Sequence, residues 1–293
     1  MNKSISTIFV IAFILTLTIS ASSALARFKL TPKITLSEEY NDNIYLDPSD
    51  FVVSDWLTTI EPGFKMLWQT RNLDLDLDYS LRFVYFSDNS YLNETSFSDV
   101  QRGKVTATLF PDEKFTIVTE GEISRVVVDE SDRTADENEF INRATRYDFS
   151  INPSYTLPFS STFSSTLGYR YEQSTYSQID NSLDPFFDEP NDFRQHIVNL
   201  EFIKQLGART SLWSGYFFTD YQVDENSPDE INEDFQRHDI IVGIEQQIGS
   251  KISILARGGM AYFDFDESGT DSGHTWQAGL NYHPTERLIF EAL

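Results

Sequence analysis

The residues best suited to chemistry are charged side chains that recur at every second position. The clearest case is residues 73–86, LDLDLDYSLRFVYF, in which Asp74, Asp76 and Asp78 alternate with leucines. Alternate side chains of a β-strand point to the same face, so these carboxylates would line one side of a strand. The same parity along other segments selects a set of mixed sign: Glu120, Glu122, Asp148, Glu172, Glu201, Glu245, Arg82, Arg102, Lys104, Arg146, Arg170 and Arg257.

Two interpretations of this charged set stay open. The charges could line a water-filled passage and tune which ions or solutes pass. They could also form a polar interior that is closed by ion pairs or by a loop folded inward. Parity alone does not separate the two.

A second group of acids lies in segments without strand periodicity. Ca²⁺ takes 6–8 oxygen ligands, so these segments are candidate cation-binding loops. None has the calcium-loop spacing with its glycine and final glutamate, and a solvated, repulsive surface is the simpler interpretation. The acids of 129–139 and 264–271 are Asp129, Glu130, Asp132, Asp136, Asp264, Asp266, Glu267 and Asp271, and 224–234 carries more.

Several function classes are disfavoured. The chain has no cysteine and a formal charge of −24, which argues against thiol chemistry and against a nucleic-acid partner. No phosphate loop, nucleophile elbow or metalloprotease motif is present. The predicted strands hold no serine two residues from a histidine on one face, as a lipase-like pair would need. We therefore expect neither an enzyme nor a bound cofactor or metal.

The elements that position the charges are strands. Period-two segments follow each other with turn signals between them, and many are longer than the ~5–6 residues of a typical soluble strand. The predicted strands are 30–40, 56–69, 73–86, 99–110, 115–128, 143–157, 162–177, 193–206, 210–223, 237–248, 251–263, 274–283 and 286–293.

The connections between these strands alternate between long and short. Long loops are predicted at 41–55, 87–98, 129–142, 178–192, 224–236 and 264–273. Outer-membrane barrels have short periplasmic turns and longer external loops, and a sheet in lipid must satisfy its own backbone. We therefore predict an all-β, antiparallel up-and-down transmembrane β-barrel. Thirteen strands are visible, and an even strand number together with the ending LIFEAL suggests fourteen or more in the complete chain.

Aromatic residues at strand ends are typical of the girdles at a membrane–water interface. Parity places Arg125 on the lipid face near an outer end, where it could meet headgroup phosphates, and Pro62-Gly63 predicts a bulge or bend. The girdle candidates are Trp56, Trp68, Tyr85, Tyr155, Tyr169 and Tyr282.

The N-terminus has the features of an export signal. Lys3 precedes the apolar run 8–19, and Ala24-Leu25-Ala26 predicts cleavage after Ala26. The expected division is a signal peptide at 1–26 and a barrel domain at 27–293. Its expected location is the outer membrane of a Gram-negative bacterium, with membrane lipid and lipopolysaccharide as partners.

Two stretches carry a family resemblance: LTPKITLSEEYNDNIYL (30–46) and WLTTIEPGFKM (56–66). With Tyr40-x-Asp42-Asn43-Ile44 and the Pro-Gly pair, they resemble the start of a porin-like outer-membrane barrel family associated with exopolysaccharide and exosortase (PEP-CTERM) systems. The resemblance implies an envelope barrel, with exopolysaccharide export components as partners, and it supplies no catalytic residues.

Three functional hypotheses follow. The first is a porin-like barrel that gives passage to ions, small solutes or an exported polysaccharide through a polar lumen. The alternative is a structural or adhesive barrel whose acidic external loops bind a partner without transport. A secreted carbohydrate-binding sandwich is the third, and the strand lengths and loop order oppose it.

Overall fold

A computed structural model describes residues 27–44, 52–111, 113–127, 143–177, 191–224, 234–249, 252–285 and 288–292. The predicted signal peptide lies outside them. The strands are β1 (Arg27–Asn41), β2 (Asp55–Gln69), β3 (Leu73–Leu81), β4 (Phe83–Phe86), β5 (Gln101–Leu109), β6 (Phe115–Val127), β7 (Arg143–Ser160), β8 (Phe163–Tyr176), β9 (Asp192–Gly207), β10 (Thr210–Asp224), β11 (Phe235–Ile248), β12 (Ile252–Phe265), β13 (Gly269–Thr285) and β14 (Leu288–Ala292).

All strands belong to one antiparallel sheet in which neighbours in sequence are neighbours in space. Strands β3 and β4 both pair with β2 and form one interrupted strand, so the sheet has the 13 strands that the sequence predicts. Among the described residues β1 and β14 do not pair with each other, and the sheet is open there. The predicted all-β, antiparallel up-and-down architecture with 13 visible strands is confirmed.

Continuous register gives the sheet two chemically different faces. We call one the apolar face; it carries Leu30, Leu75, Ile240 and Trp276, and Trp276 is 82% exposed. We call the other the polar face; it carries the aspartates between the leucines of β3. Exposed apolar surface of this extent is unusual for a soluble monomer and marks an interaction with membrane or protein.

The aromatic residues predicted for the girdles all lie on the apolar face by register. At the end with the long loops, the Tyr40 and Trp56 rings are 5.3 Å apart. The Tyr169 hydroxyl and His196 Nδ1 share a hydrogen bond of 2.7 Å. A ring with a polar edge suits a boundary between hydrocarbon and water.

One predicted long loop is a tight turn. Strands β12 and β13 pair up to Phe265↔Gly269, and only Asp266 to Ser268 connect them. Gly269 has φ +89°, a conformation that glycine adopts at little cost. The prediction of a loop over 264–273 is therefore wrong, and the long–short alternation fails at this connection.

The irregularity predicted at Pro62-Gly63 is an interruption rather than a bulge. The β1–β2 register passes these residues without a shift. On the other side, β2 pairs with β4 as far as Ile60↔Phe83 and resumes with β3 at Gly63↔Ser80. Proline has no N–H for the ladder. The Arg82 N–H instead donates to the Val100 carbonyl at 2.7 Å.

The connection after β4 is structured. It contains a 3₁₀ turn (Ser90–Leu92) and the short helix α1 (Phe97–Val100). Within the described ranges, no helix combines the length and the apolar character needed to cross a membrane.

Candidate functional site

Cross-strand register brings the predicted charged residues together on the polar face. One row of opposing partners runs Lys65, Asp78, Lys104, Glu122 and Asp148 across β2, β3, β5, β6 and β7. Arg82 lies in the break between β3 and β4. The other predicted residues that occupy polar-face positions are Asp74, Asp76, Arg102, Glu120, Arg146, Arg170, Glu172, Glu201, Glu245 and Arg257.

Many of these charges form ion pairs along the face. Lys33 Nζ lies 2.5 Å from an Asp78 carboxylate oxygen, and Lys65 Nζ lies 3.3 Å from Asp76. Further pairs are Lys104–Glu122 at 3.4 Å, Arg146–Asp148 at 2.8 Å, Arg237–Asp239 at 2.8 Å, and Arg170–Glu172. Most of these side chains are partly exposed, so each such pair contributes at most about 1 kcal/mol to stability.

Gly63 makes room for the pair between Lys33 and Asp78. Lys33 is on β1 and Asp78 is on β3, so the lysine must cross β2. A Cβ on Gly63 would lie 2.9 Å from Lys33 Cε and 2.5 Å from the Tyr79 carbonyl oxygen. Lys33 and Lys65 were not among the predicted residues, although the parity used for β3 also selects them on β1 and β2.

Two grooves open on the polar face. The larger, of about 700 Å³, is lined by Lys33, Lys65, Asp76, Asp78, Ser80, Arg102, Lys104, Thr106, Glu122 and Ser124 among others. The smaller, of about 270 Å³, is lined by residues that include Lys104, Glu120, Glu122, Arg146, Asp148, Arg170, Glu172 and Tyr176. The paired charges therefore border open space and are not packed into a core.

A loop covers one end of the polar face. Leu57, Val84 and Phe86 occupy polar-face positions at the long-loop end, and Ile44 and Leu92 pack on them to form a small buried apolar cluster. The segment after β4 is thus folded onto the polar face. At this end of the sheet, the structure therefore agrees with the interpretation in which a loop folds inward over the polar face.

Asp55 anchors that loop. The side chain is 2% exposed. Its oxygens accept backbone N–H groups of Trp56 at 2.7 Å, Ser87 at 3.0 Å, Asp88 at 3.1 Å and Asn89 at 2.8 Å, and the Asn89 amide at 2.9 Å. Sequence reasoning assigned Asp55 no role. Its only local signal in the sequence is that it directly precedes the predicted strand 56–69.

Glu94 contacts three arginines at the end of the sheet where β5 begins and β6 extends beyond it. Its carboxylate lies 3.0 Å from Arg143, 3.2 Å from Arg125 and 3.6 Å from Arg102. The Arg125 side chain is 3% exposed. The predicted lipid-face parity of Arg125 is right, but its predicted contact with headgroups is wrong, because α1 and Glu94 cover it.

Aromatic residues form a row on the polar face at the same end of the sheet. We call Phe193, Tyr221, Phe235, Phe263 and Phe265 the aromatic row. Ring centroids are 5.5 Å apart for Phe193–Tyr221, 4.8 Å for Tyr221–Phe235 and 5.7 Å for Phe235–Phe265. All five side chains are half-buried. The sequence analysis did not find the row, because it depends on the register of β9 to β12.

The acidic loops are only partly described. Asp129, Glu130, Asp132 and Asp136 lie outside the described residues, so cation binding there stays a prediction. Asp264, Asp266, Glu267 and Asp271 are exposed around the β12–β13 turn. Within the described ranges, no group of three or more acidic or histidine side chains is arranged to hold a metal ion.

Strand β13 carries a serine and a histidine on one face. Because β13 begins at Gly269, Ser272 and His274 lie two residues apart on the apolar face of one strand. The expectation that no strand carries such a serine is therefore wrong. The Ser272 contact that the structure gives is a hydrogen bond from its backbone N–H to Asp271.

No family model and no curated protein matches the sequence. Solved structures with similar folds include a bacterial polysaccharide outer membrane secretin, with 11% identity, coverage of 88% of this chain and 86% of that one, and a TM-score of 0.49. An outer membrane channel from Pseudomonas putida F1 is 15% identical, with coverage of 88% of this chain and 93% of that one and a TM-score of 0.38. An anion-selective porin from Comamonas acidovorans is 8% identical, with coverage of 87% of this chain and 98% of that one and a TM-score of 0.36. The description of the fold therefore comes from the strand pairing within this chain.

Proposed function

We propose that the chain is a porin-like outer-membrane barrel that gives passage to ions, small solutes or an exported polysaccharide through a polar lumen. Its location would be the outer membrane of a Gram-negative bacterium, after removal of residues 1–26. The observation that carries the proposal is the separation of faces: charged rows and open grooves on one side of the sheet, and exposed apolar side chains on the other.

The physical reason is the different solvent that each face needs. Lipid tails accept the apolar face without cost, whereas charged side chains at the bilayer centre cost several kcal/mol. The ion pairs of the polar face are partly exposed, so they need water beside them. Closure of the sheet around water would satisfy both faces and the free backbone groups of its edges.

Single-cysteine variants test this proposal directly, because the natural chain has no cysteine. Thr106 lines the larger groove, and its neighbour Val105 packs on the apolar face. In planar bilayers we expect the refolded protein to conduct. A water-soluble thiol reagent should reduce the conductance of Thr106→Cys and leave that of Val105→Cys unchanged.

Two results would count against the proposal. One is a mature chain that stays dispersed in buffer without detergent and migrates identically on gels with and without boiling. The other is equal reactivity of the two cysteine variants in lipid, because equal reactivity would mean that the two faces meet the same solvent.

The alternative of a structural or adhesive barrel is favoured by the loop on the polar face and by the ion pairs. In that case the protein inserts but does not conduct. Its acidic external loops would bind a partner or a cell-surface polymer. Deletion of residues 129–140 and 224–234 should then abolish binding of such a partner while insertion is retained. Neither proposal includes catalysis or a cofactor.

A further inference from the structure

The aromatic row is unexpected on a face that meets water. Phenylalanine gains most from apolar surroundings, and the opposite face of the same strands offers them. Yet four neighbouring strands each place at least one ring on the polar face at the same end of the sheet. The row crosses three interstrand spacings, a distance of about 14 Å.

Polar groups border the row on the same face. The Arg237 guanidinium lies 5.0 Å from the Phe263 ring centroid and donates to Asp239 at 2.8 Å. Eight residues from Tyr221 along β10, about 26 Å away, Trp213 Nε1 donates to Glu201 at 2.9 Å on the same face. The Arg257 guanidinium lies 4.8 Å from the centroid of the Trp213 ring. Rings and hydrogen-bonding groups thus occur side by side at the row, and again around Trp213.

We infer that the aromatic row binds a neutral carbohydrate chain. A sugar ring has an apolar C–H face that stacks on an aromatic ring, and hydroxyl edges that bond carboxylates and guanidinium groups. A polyanion suits the row poorly, because the chain carries a charge of −24 and Arg237 is already paired with Asp239. A purely apolar ligand would leave those polar groups without partners.

The length of the row favours a chain over a single sugar. Its rings form a connected series in which each centroid lies 4.8–5.8 Å from the next one, from Phe193 through Tyr221 and Phe235 to Phe265 and Phe263. Successive sugar units can contact successive rings, so weak contacts add along the oligomer. Since the row must meet water to bind sugar, this inference rests on the proposed water-filled lumen.

Intrinsic fluorescence gives a test that does not depend on conduction. All four tryptophans lie in the described ranges, and Trp213 alone is on the polar face. The refolded full chain is titrated with neutral hexasaccharides: α-1,4- and β-1,4-linked glucose, β-1,4-linked mannose and chitohexaose. We expect at least one to bind saturably by calorimetry; a sugar that extends along β10 to Trp213, about 26 Å from Tyr221, also changes the emission, and Trp213→Phe removes that change.

Binding variants locate the site, with affinity measured by calorimetry. Tyr221→Ala and Phe235→Leu should weaken binding about tenfold or more, because each loses a ring face. Tyr221→Phe should retain binding. The matched control is Phe218→Ala, which removes a ring from the apolar face of the same strand, and it should leave affinity unchanged. Heat-modifiable gel migration confirms that each variant is folded.

Each remaining outcome is decisive. The inference is overturned if none of the four sugars binds at millimolar concentration, if dextran sulfate alone binds, or if Phe235→Leu binds like the wild type. Conductance without sugar binding would refute sugar binding by the aromatic row and would leave the proposed channel function standing. Sugar binding to a folded protein that never conducts would refute the proposed channel function and would support sugar binding by the aromatic row.

Discussion

Replacing Asp55 by asparagine should release the loop that covers one end of the polar face. The carboxylate accepts backbone N–H groups from Ser87, Asp88 and Asn89, at 2.8–3.1 Å. Asparagine keeps one oxygen but presents an NH₂ group in place of the other. At least one backbone donor would then face a donor in a buried site.

The structure sets the size of this effect. A hydrogen bond to a charged group contributes about 1.5–3 kcal/mol, and a buried donor without an acceptor costs a similar amount. Loss of one or two such contacts therefore costs about 2–4 kcal/mol. At 1.4 kcal/mol per factor of ten, the loop would open about 30 to 700 times more often.

Hydrogen exchange by mass spectrometry on the detergent-folded protein measures this opening. Peptides that cover residues 84–95 should exchange faster in Asp55→Asn by that factor, whereas peptides from β9 to β12 should be unchanged. Asp88→Asn is the matched control, because it removes an equal charge from an exposed neighbouring side chain. Equal exchange in the two variants would refute the assignment of Asp55 as the anchor.

Three further predictions concern ion pairs and the glycine that makes room for one of them. Gly63→Val should lower thermal stability by several degrees, because its Cβ would lie 2.5 Å from a backbone oxygen; Gly273→Ala, with no atom within 4 Å, should not. Glu94→Gln should cost about 3–5 kcal/mol in denaturant unfolding, against less than about 1 kcal/mol for Glu113→Gln, whose pair is exposed. Asp78→Asn should shift the reversal potential toward anions, and an unchanged potential would contradict its place on a conducting wall.

The strands were predictable because their signal is local. In LDLDLDYSL a period of two is visible within nine residues, and the period is strong because the two faces of the sheet differ in chemistry. The same parity placed Asp74, Arg146 and Arg257 on the polar face without knowledge of strand partners.

The loops and their contacts were not predictable because their signals are not local. Asp55 bonds residues 32–34 positions away, and Glu94 meets Arg143 at a separation of 49. No period in the sequence links such positions. The segment 264–273 is acidic and contains glycine, a composition that fits a long loop and a tight turn equally well. Cross-strand pairing decides between them.

The polar face divides into two parts with different capacities to select a solute. From β1 to β8 its charges are mostly arranged as neighbouring pairs of opposite sign. The fields of such pairs largely cancel beyond a few ångströms, and salt screens the remainder within about 8 Å. From β9 to β12 the face carries rings, which act only by contact. A passing solute would therefore meet weak long-range discrimination by charge and stronger short-range discrimination by shape, so that neutralising one ion pair should alter solute preference less than removing one ring.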